Sequence, residues 1–256
     1  MNRTIELIKM EVKDEVIHLE FNRPDRLNAL NVEMIDCFVE RLEEVIHMKQ
    51  KVIILSGVGT AFSSGGDIQA MSSSISDVLF QEIMGKVKEM ILKVYTLPKI
   101  VISAVHGPAA GLGFSLALAS DYIVASNDAK FGLNFIHIGL VADGGCHFLL
   151  KNRIGYQNTK HAIWKGKTFH AKEAYDLGII DFLVDDHPYD QATELVSSTL
   201  QMSFEAQIES KLILNATEVL ELTKVLDLEC DAQCRMRKSD EHIHRIQAFL
   251  KKSKKG

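Results

Sequence analysis

The chain has 256 residues, of which 46% are hydrophobic and 25% charged, an ordinary balance for a globular protein and enough to bury a sizeable core. A net charge of -5 gives no basis for broad nucleic-acid binding, and the one basic run, Lys251, Lys252, Lys254 and Lys255, reads as a solvated helix end. Glu6, Lys9, Glu11, Lys13 and Asp14 interrupt any secretory leader, no run of roughly eighteen apolar residues offers a membrane span, and four cysteines do not make a disulfide framework, so a cytoplasmic protein is expected.

Ile5–Met10 and Val16–Phe21 read as two strands joined by a turn at Lys13, Asp14 and Glu15. Asn22, Arg23, Pro24 and Asp25 then break regular structure. Asn31 is placed to cap a helix whose apolar positions Met34, Ile35, Phe38, Leu42, Val45 and Ile46 recur at helical spacing. Val52–Leu55 is a short apolar strand leading into a Gly-rich loop that runs through Gly66. Ser72, Ser73, Ser74 and Ser76 suggest a mobile segment, and Val78–Leu97 a helix stopped by Pro98. Ile100–Val105 is another strand, Gly107–Gly113 a second Gly-rich turn, Phe114–Ala119 a buried helix and Tyr122–Ala125 a further strand. This alternation predicts an α/β core. From about Tyr189 the pattern is helical, which divides the chain into a core, 1–188, and a C-terminal helical region, 189–256.

The chemistry is expected at the two Gly-rich turns, Ala61-Phe62-Ser63-Ser64-Gly65-Gly66-Asp67-Ile68 and His106-Gly107-Pro108-Ala109-Ala110-Gly111-Leu112-Gly113. Glycine lets the backbone approach a ligand closely, and two converging N–H groups make an oxyanion hole suited to a thioester oxygen that gains charge on enolisation. On pattern alone, tight turns serving packing remain the commoner explanation.

Together these segments resemble the enoyl-CoA hydratase/isomerase, or crotonase, family. The resemblance rests on Asn22-Arg23-Pro24 with Leu27-Asn28-Ala29-Leu30, on Ala61–Ile68, on Pro98–Asp121, and on Phe131-Gly132 with Gly139-Leu140. Ala171–Ala174 with Leu177–Ile180, and Ser239-Asp240-Glu241 followed by Ala248–Lys252, continue it in the family's order. It implies a crotonase-type spiral of ββα turns, a C-terminal helical trimerisation region, and assembly as a homotrimer or hexamer. It also implies an acyl-CoA substrate whose coenzyme A is part of the substrate, with no further cofactor and no metal. The oxyanion donors would be the backbone N–H groups of Gly66 and Leu112, and Arg26, Ser64, Asp67 and Ile68 would lie along the CoA.

The sequence departs from the hydratases of that family at both of their glutamates, where it carries Ser115 and Phe135. Neither can serve as a carboxylate base. Asp143 remains, at a position where some isomerases of the family place a single acid, and moving a double bond from carbon 3 to carbon 2 requires only one. Asp143 also precedes Gly144-Gly145 and a predicted helix, so a capping role is the competing assignment. A hydratase-like or hydrolase-like enzyme with an unrecognised acid, and a catalytically silent acyl-CoA-binding subunit, stay open beside the isomerase. His106, His137 and His147 flank the motifs. Cys230 and Cys234 with His242 and His244 match zinc spacing poorly.

Overall fold

A computed structural model describes residues 6–67 and 75–253. Its first two strands, β1 (Ile8–Lys13) and β2 (Val16–Phe21), form the expected antiparallel hairpin, with Ile8 opposite Phe21 and Lys13 opposite Val16. Asn31 caps α1 (Val32–Ile46) by accepting from the Met34 amide at 3.0 Å, and α1 buries the stripe Met34, Ile35, Phe38, Leu42 and Val45. β3 (Val52–Gly57) follows. Ser76 then caps α2 (Asp77–Thr96), whereas Ser72, Ser73 and Ser74 lie outside the described residues. β4 (Ile100–Val105) leads through β5 (Pro108–Ala110) into α3 (Leu112–Leu118) and β6 (Tyr122–Ser126). Beyond it come β7 (Lys130–Gly132), a 3-10 turn over Asn134–Ile138, α4 (Cys146–Ile154) and α5 (Tyr156–Lys165). β8 (Thr168–His170), α6 (Ala171–Asp176) and β9 (Phe182–Val184) complete the α/β part. The helices α7 (Pro188–Thr199), α8 (Phe204–Met236) and α9 (Asp240–Ser253) end the chain.

The larger sheet has the order β1-β2-β3-β4-β6-β9, parallel from β2 onward. Its central strands β3 and β4 are buried along their whole length and almost wholly apolar, Ser56 and Ser103 excepted, because both faces are covered. Ile53 and Leu55 of β3 face a core shared with α1 and α2, while Val52 and Ile54 face one shared with Ala192 and Val196 of α7. Successive side chains of a strand point to opposite faces, so one short strand serves both cores.

The smaller sheet, β5-β7-β8, is extended by single-residue bridges pairing Ser63 with Ala109 and Leu30 with Gly66. Leu30, the Ser63–Gly66 loop, β5 and β7 are thus stacked in the order of the strands that precede them, β2, β3, β4 and β6. The chain therefore climbs as a spiral in which each turn contributes to both sheets. Phe62, Ala109, Phe131 and Phe169 from the smaller sheet share one core with Ile17, Leu19 and Leu55 from the larger. α8 packs along α2 and α4, and α9 rests against the 3-10 turn. Among the described residues no helix is long and apolar enough to cross a membrane.

Candidate active site

The two Gly-rich turns lie against each other. The Ser63 amide donates to Pro108 O at 3.1 Å, and the Ala110 amide returns a bond to Ser63 O at 2.9 Å. On the other side, Leu30 N donates to Gly65 O at 2.8 Å and Asp67 N to Leu30 O at 3.0 Å. Gly65 has φ +92°, and a Cβ there would stand 2.4 Å from Ala110 O and 3.2 Å from Leu112 N. Only glycine fits so close a crossing. These bonds occupy much of the flanking backbone, and neither the Gly66 nor the Leu112 amide donates to a described residue. Leu112 opens α3, where an N–H has no intrahelical acceptor.

Asp143 reaches the same place by a different route. Gly144 and Gly145 have φ +66° and +76°, and a Cβ on Gly144 would lie 2.6 Å from Leu112 Cδ1 and 2.8 Å from Ser115 Cβ. The Ser115 hydroxyl donates to the Asp143 carbonyl at 2.6 Å, which fastens the loop to α3. Ser115 is thus a tether in the hydratase position, and the Phe135 ring covers the Gly111 end of α3 from the other. Asp143 is 5% exposed as a residue; its Oδ2 accepts from Gln233 Nε2 at 2.9 Å, and its Oδ1, buried, has no partner among the described residues. Burial, reinforced by the charge of Glu229 and only partly offset by the Gln233 bond, pushes its pKa up to about 8.

The Asp143 side chain does not cap α4. Glu229 takes that position, accepting from Gly145 N at 2.7 Å and His147 N at 3.1 Å, and its Oε1 lies 2.7 Å from His147 Nδ1. The two glycines turn the chain so that Asp143 faces inward while a glutamate more than eighty residues away supplies the cap.

Asp143, Gly66, Leu112 and Ser64 line one cavity of about 540 Å³. Its walls are apolar, built from residues such as Ile35 of α1, Ile83 and Val87 of α2, and Ile243 and Ile246 of α9. Asp143 is the one carboxylate on its lining among the described residues. Arg26 and Asp67 do not line it. Arg26 is at the surface, where its carbonyl accepts from Ser64 Oγ at 3.3 Å. Asp67 pairs with Arg23 at 3.1 Å. Ile68 lies outside the described residues. His137 borders the cavity with Nε2 bound to Gly166 O, whereas His106 and His147 do not reach it. No cluster of metal-ligating side chains occurs among the described residues.

Gln233 and Glu229 were not foreseen from sequence, yet a signal existed. Leu222 and Leu226 form the buried stripe of α8, and Glu229, Gln233 and Arg237 continue it at the same helical spacing, 3%, 1% and 7% exposed. A hydrophobic stripe that turns polar without leaving the interior marks the point where a helix passes a site.

The description enoyl-CoA hydratase/isomerase attaches to a family model that matches residues 11–256. The chain belongs to the enoyl-CoA hydratase/isomerase family. Bacillus subtilis (strain 168) YhaR, named for the same family, is 40% identical over 97% of each chain. The 1,2-epoxyphenylacetyl-CoA isomerase of Escherichia coli K12 is 31% identical, again over 97% of each. Among solved structures, an enoyl-CoA hydratase from Mycobacterium avium subsp. paratuberculosis K-10 superposes with a TM-score of 0.86 at 29% identity over 96% of both chains. Hydratase and isomerase names thus both occur among the relatives of this family member, and its fold is theirs.

Proposed function

We propose that this enzyme shifts a double bond in an enoyl-CoA thioester through an oxyanion-stabilised dienolate, with Asp143 carrying the proton. The supporting observation is that Asp143, among the described residues the one carboxyl on the cavity lining, has an oxygen with no described partner, on a cavity that Gly66 and Leu112 also line. The thioester oxygen accepts from both amides. Ionised Asp143 removes a proton from C2 of the 3-enoyl chain, negative charge develops on the thioester oxygen, and Asp143 returns the same proton at C4 to leave the 2-enoyl thioester. The step moves one proton and needs no cofactor beyond the coenzyme A of the substrate. A pKa near 8 matches a base that must take a proton from carbon and give it back near neutral pH. Ser64, on the cavity lining, together with Arg26, Asp67 and Ile68, would follow the CoA.

Trimers or pairs of trimers would form through the helical region 189–256, in keeping with Ile213, Leu214 and Leu220, which α8 leaves exposed. Sedimentation of the purified protein tests this. The reaction is tested by incubating it with 3-enoyl-CoA and 2-enoyl-CoA and following each. Interconversion of the two supports the isomerase; hydration of 2-enoyl-CoA without interconversion refutes it.

A further inference from the structure

We propose that Glu229 is a positioning residue for Asp143, holding the Asp143 loop through two backbone amides and setting a second buried carboxylate against that loop. The inference rests on the isomerase reading for its consequence in turnover, but not for its geometry.

Glu229 is 3% exposed, so its charge is not dispersed by water. Both its oxygens are committed to the segment that follows Asp143, Oε2 to Gly145 N and Oε1 to His147 N and His147 Nδ1. It stands one helical turn before Gln233, whose amide holds Asp143 Oδ2. One face of α8 therefore grips the loop at two points. At Gln233 it donates to the acid itself, and at Glu229 it accepts from the amides beyond it. The two grips act on the proton in opposite senses, since the Gln233 bond favours the ionised carboxyl and the Glu229 charge disfavours it.

The other groups around Asp143 do not take this part. Cys146, on α4, is buried and its thiol is held neutral by that burial. Arg237, a turn beyond Gln233 on the cavity lining, is turned to Ile75 O and Asp77. His242 of α9 is bound to Ile138 O, and His137 to Gly166 O. His147 is the sole described side chain bonded to Glu229, and it is 40% exposed. It links the buried pair to solvent.

The test reads the Asp143 proton directly. The infrared band of a protonated buried carboxyl, assigned by its loss in Asp143→Asn, is titrated against pH in the full-length protein. In Glu229→Gln the midpoint is expected to fall by about one pH unit, with the pH-rate profile of isomerisation moving by the same amount. A variant that folds with an unchanged midpoint overturns the proposal and leaves Glu229 a helix cap. Should Glu229→Gln fail to fold, the partly exposed partner provides the comparison. His147→Arg, a fixed cation beside Glu229, is expected to give a lower Asp143 midpoint than His147→Gln, and equal midpoints overturn the proposal. Absence of isomerase activity in wild type with the infrared shifts intact refutes the proposed reaction alone.

Discussion

Gln233 donates through one nitrogen to both Asp143 Oδ2, at 2.9 Å, and the Val141 carbonyl, at 2.8 Å. With Nε2 so committed, the amide orientation is fixed, and Asp143 Oδ1 is the oxygen with no partner among the described residues.

Asp143→Asn retains an oxygen for Gln233 but cannot take a proton. Turnover is expected to fall at least about a hundredfold. Because Glu229 and not Asp143 accepts from the first amides of α4, the variant loses no cap and its melting temperature should not fall below that of wild type. A large loss of stability with activity retained would assign Asp143 a structural role.

The raised pKa of Asp143 gives stability a definite pH dependence. In the unfolded chain the acid ionises near its ordinary value of 3.8, whereas in the folded protein it keeps its proton to about pH 8. The folded state then holds the extra proton between those limits, so this residue's contribution declines as pH rises through that window and is level outside it. Relative to Asp143→Asn, wild type should lose stability from pH 4 to pH 8, with a slope of up to about 1.4 kcal/mol per pH unit. Chemical denaturation of both proteins across that range measures the difference, and parallel curves would contradict it.

The opposite pH shift is expected at Gln233. Gln233→Leu removes the bond that favours ionised Asp143, so the midpoint of the pH-rate profile should move upward and activity at pH 7 should fall. A downward shift would mean that the amide does not act on the acid as described.

Leu112→Pro removes one oxyanion donor at the first position of α3, where proline suits a helix. Gly66→Pro removes the other. Each is expected to lower kcat/KM by about a hundredfold to a thousandfold. Circular dichroism run alongside checks that the fold survives, and a folded variant with full activity would remove that amide from the site.

Hydration of crotonyl-CoA should be slow, because Ser115 is engaged with the Asp143 carbonyl and Phe135 has no ionisable group. A hydration turnover on the order of ten per second, ordinary for an enzyme, would show that an acid has been overlooked.

Local sequence made the strands and the first helices legible. Val52–Leu55 announces a central strand by an unbroken apolar run and Ile100–Val105 by one interrupted only at Ser103, and Asn31 marks its helix start. The three-residue strands β5, β7 and β8 escaped notice, since so short a segment has no periodicity to detect. The turns carrying Gly66 and Leu112 were visible as glycine clusters, but their contact depends on Ser63 pairing with Ala109 across the spiral. Sequence alone leaves a capping role for Asp143 open beside the catalytic one, because capping is judged from neighbours in sequence. The residues that decide the matter, Glu229 and Gln233, lie more than eighty positions away.

The Gly66 and Leu112 amides, which donate to no described residue, belong to the chain path, whereas the proposed proton carrier is one side chain. Substitution at 115, 135 or 143 can alter which proton moves while the chain path at Gly66 and Leu112 persists, because Leu30, Ser63 and Ala109 hold that path by main-chain bonds. On the proposed reading, reaction type would be the easily revised property of this scaffold, since single side chains set it, and thioester activation the harder one to lose, since it would require rerouting the main chain.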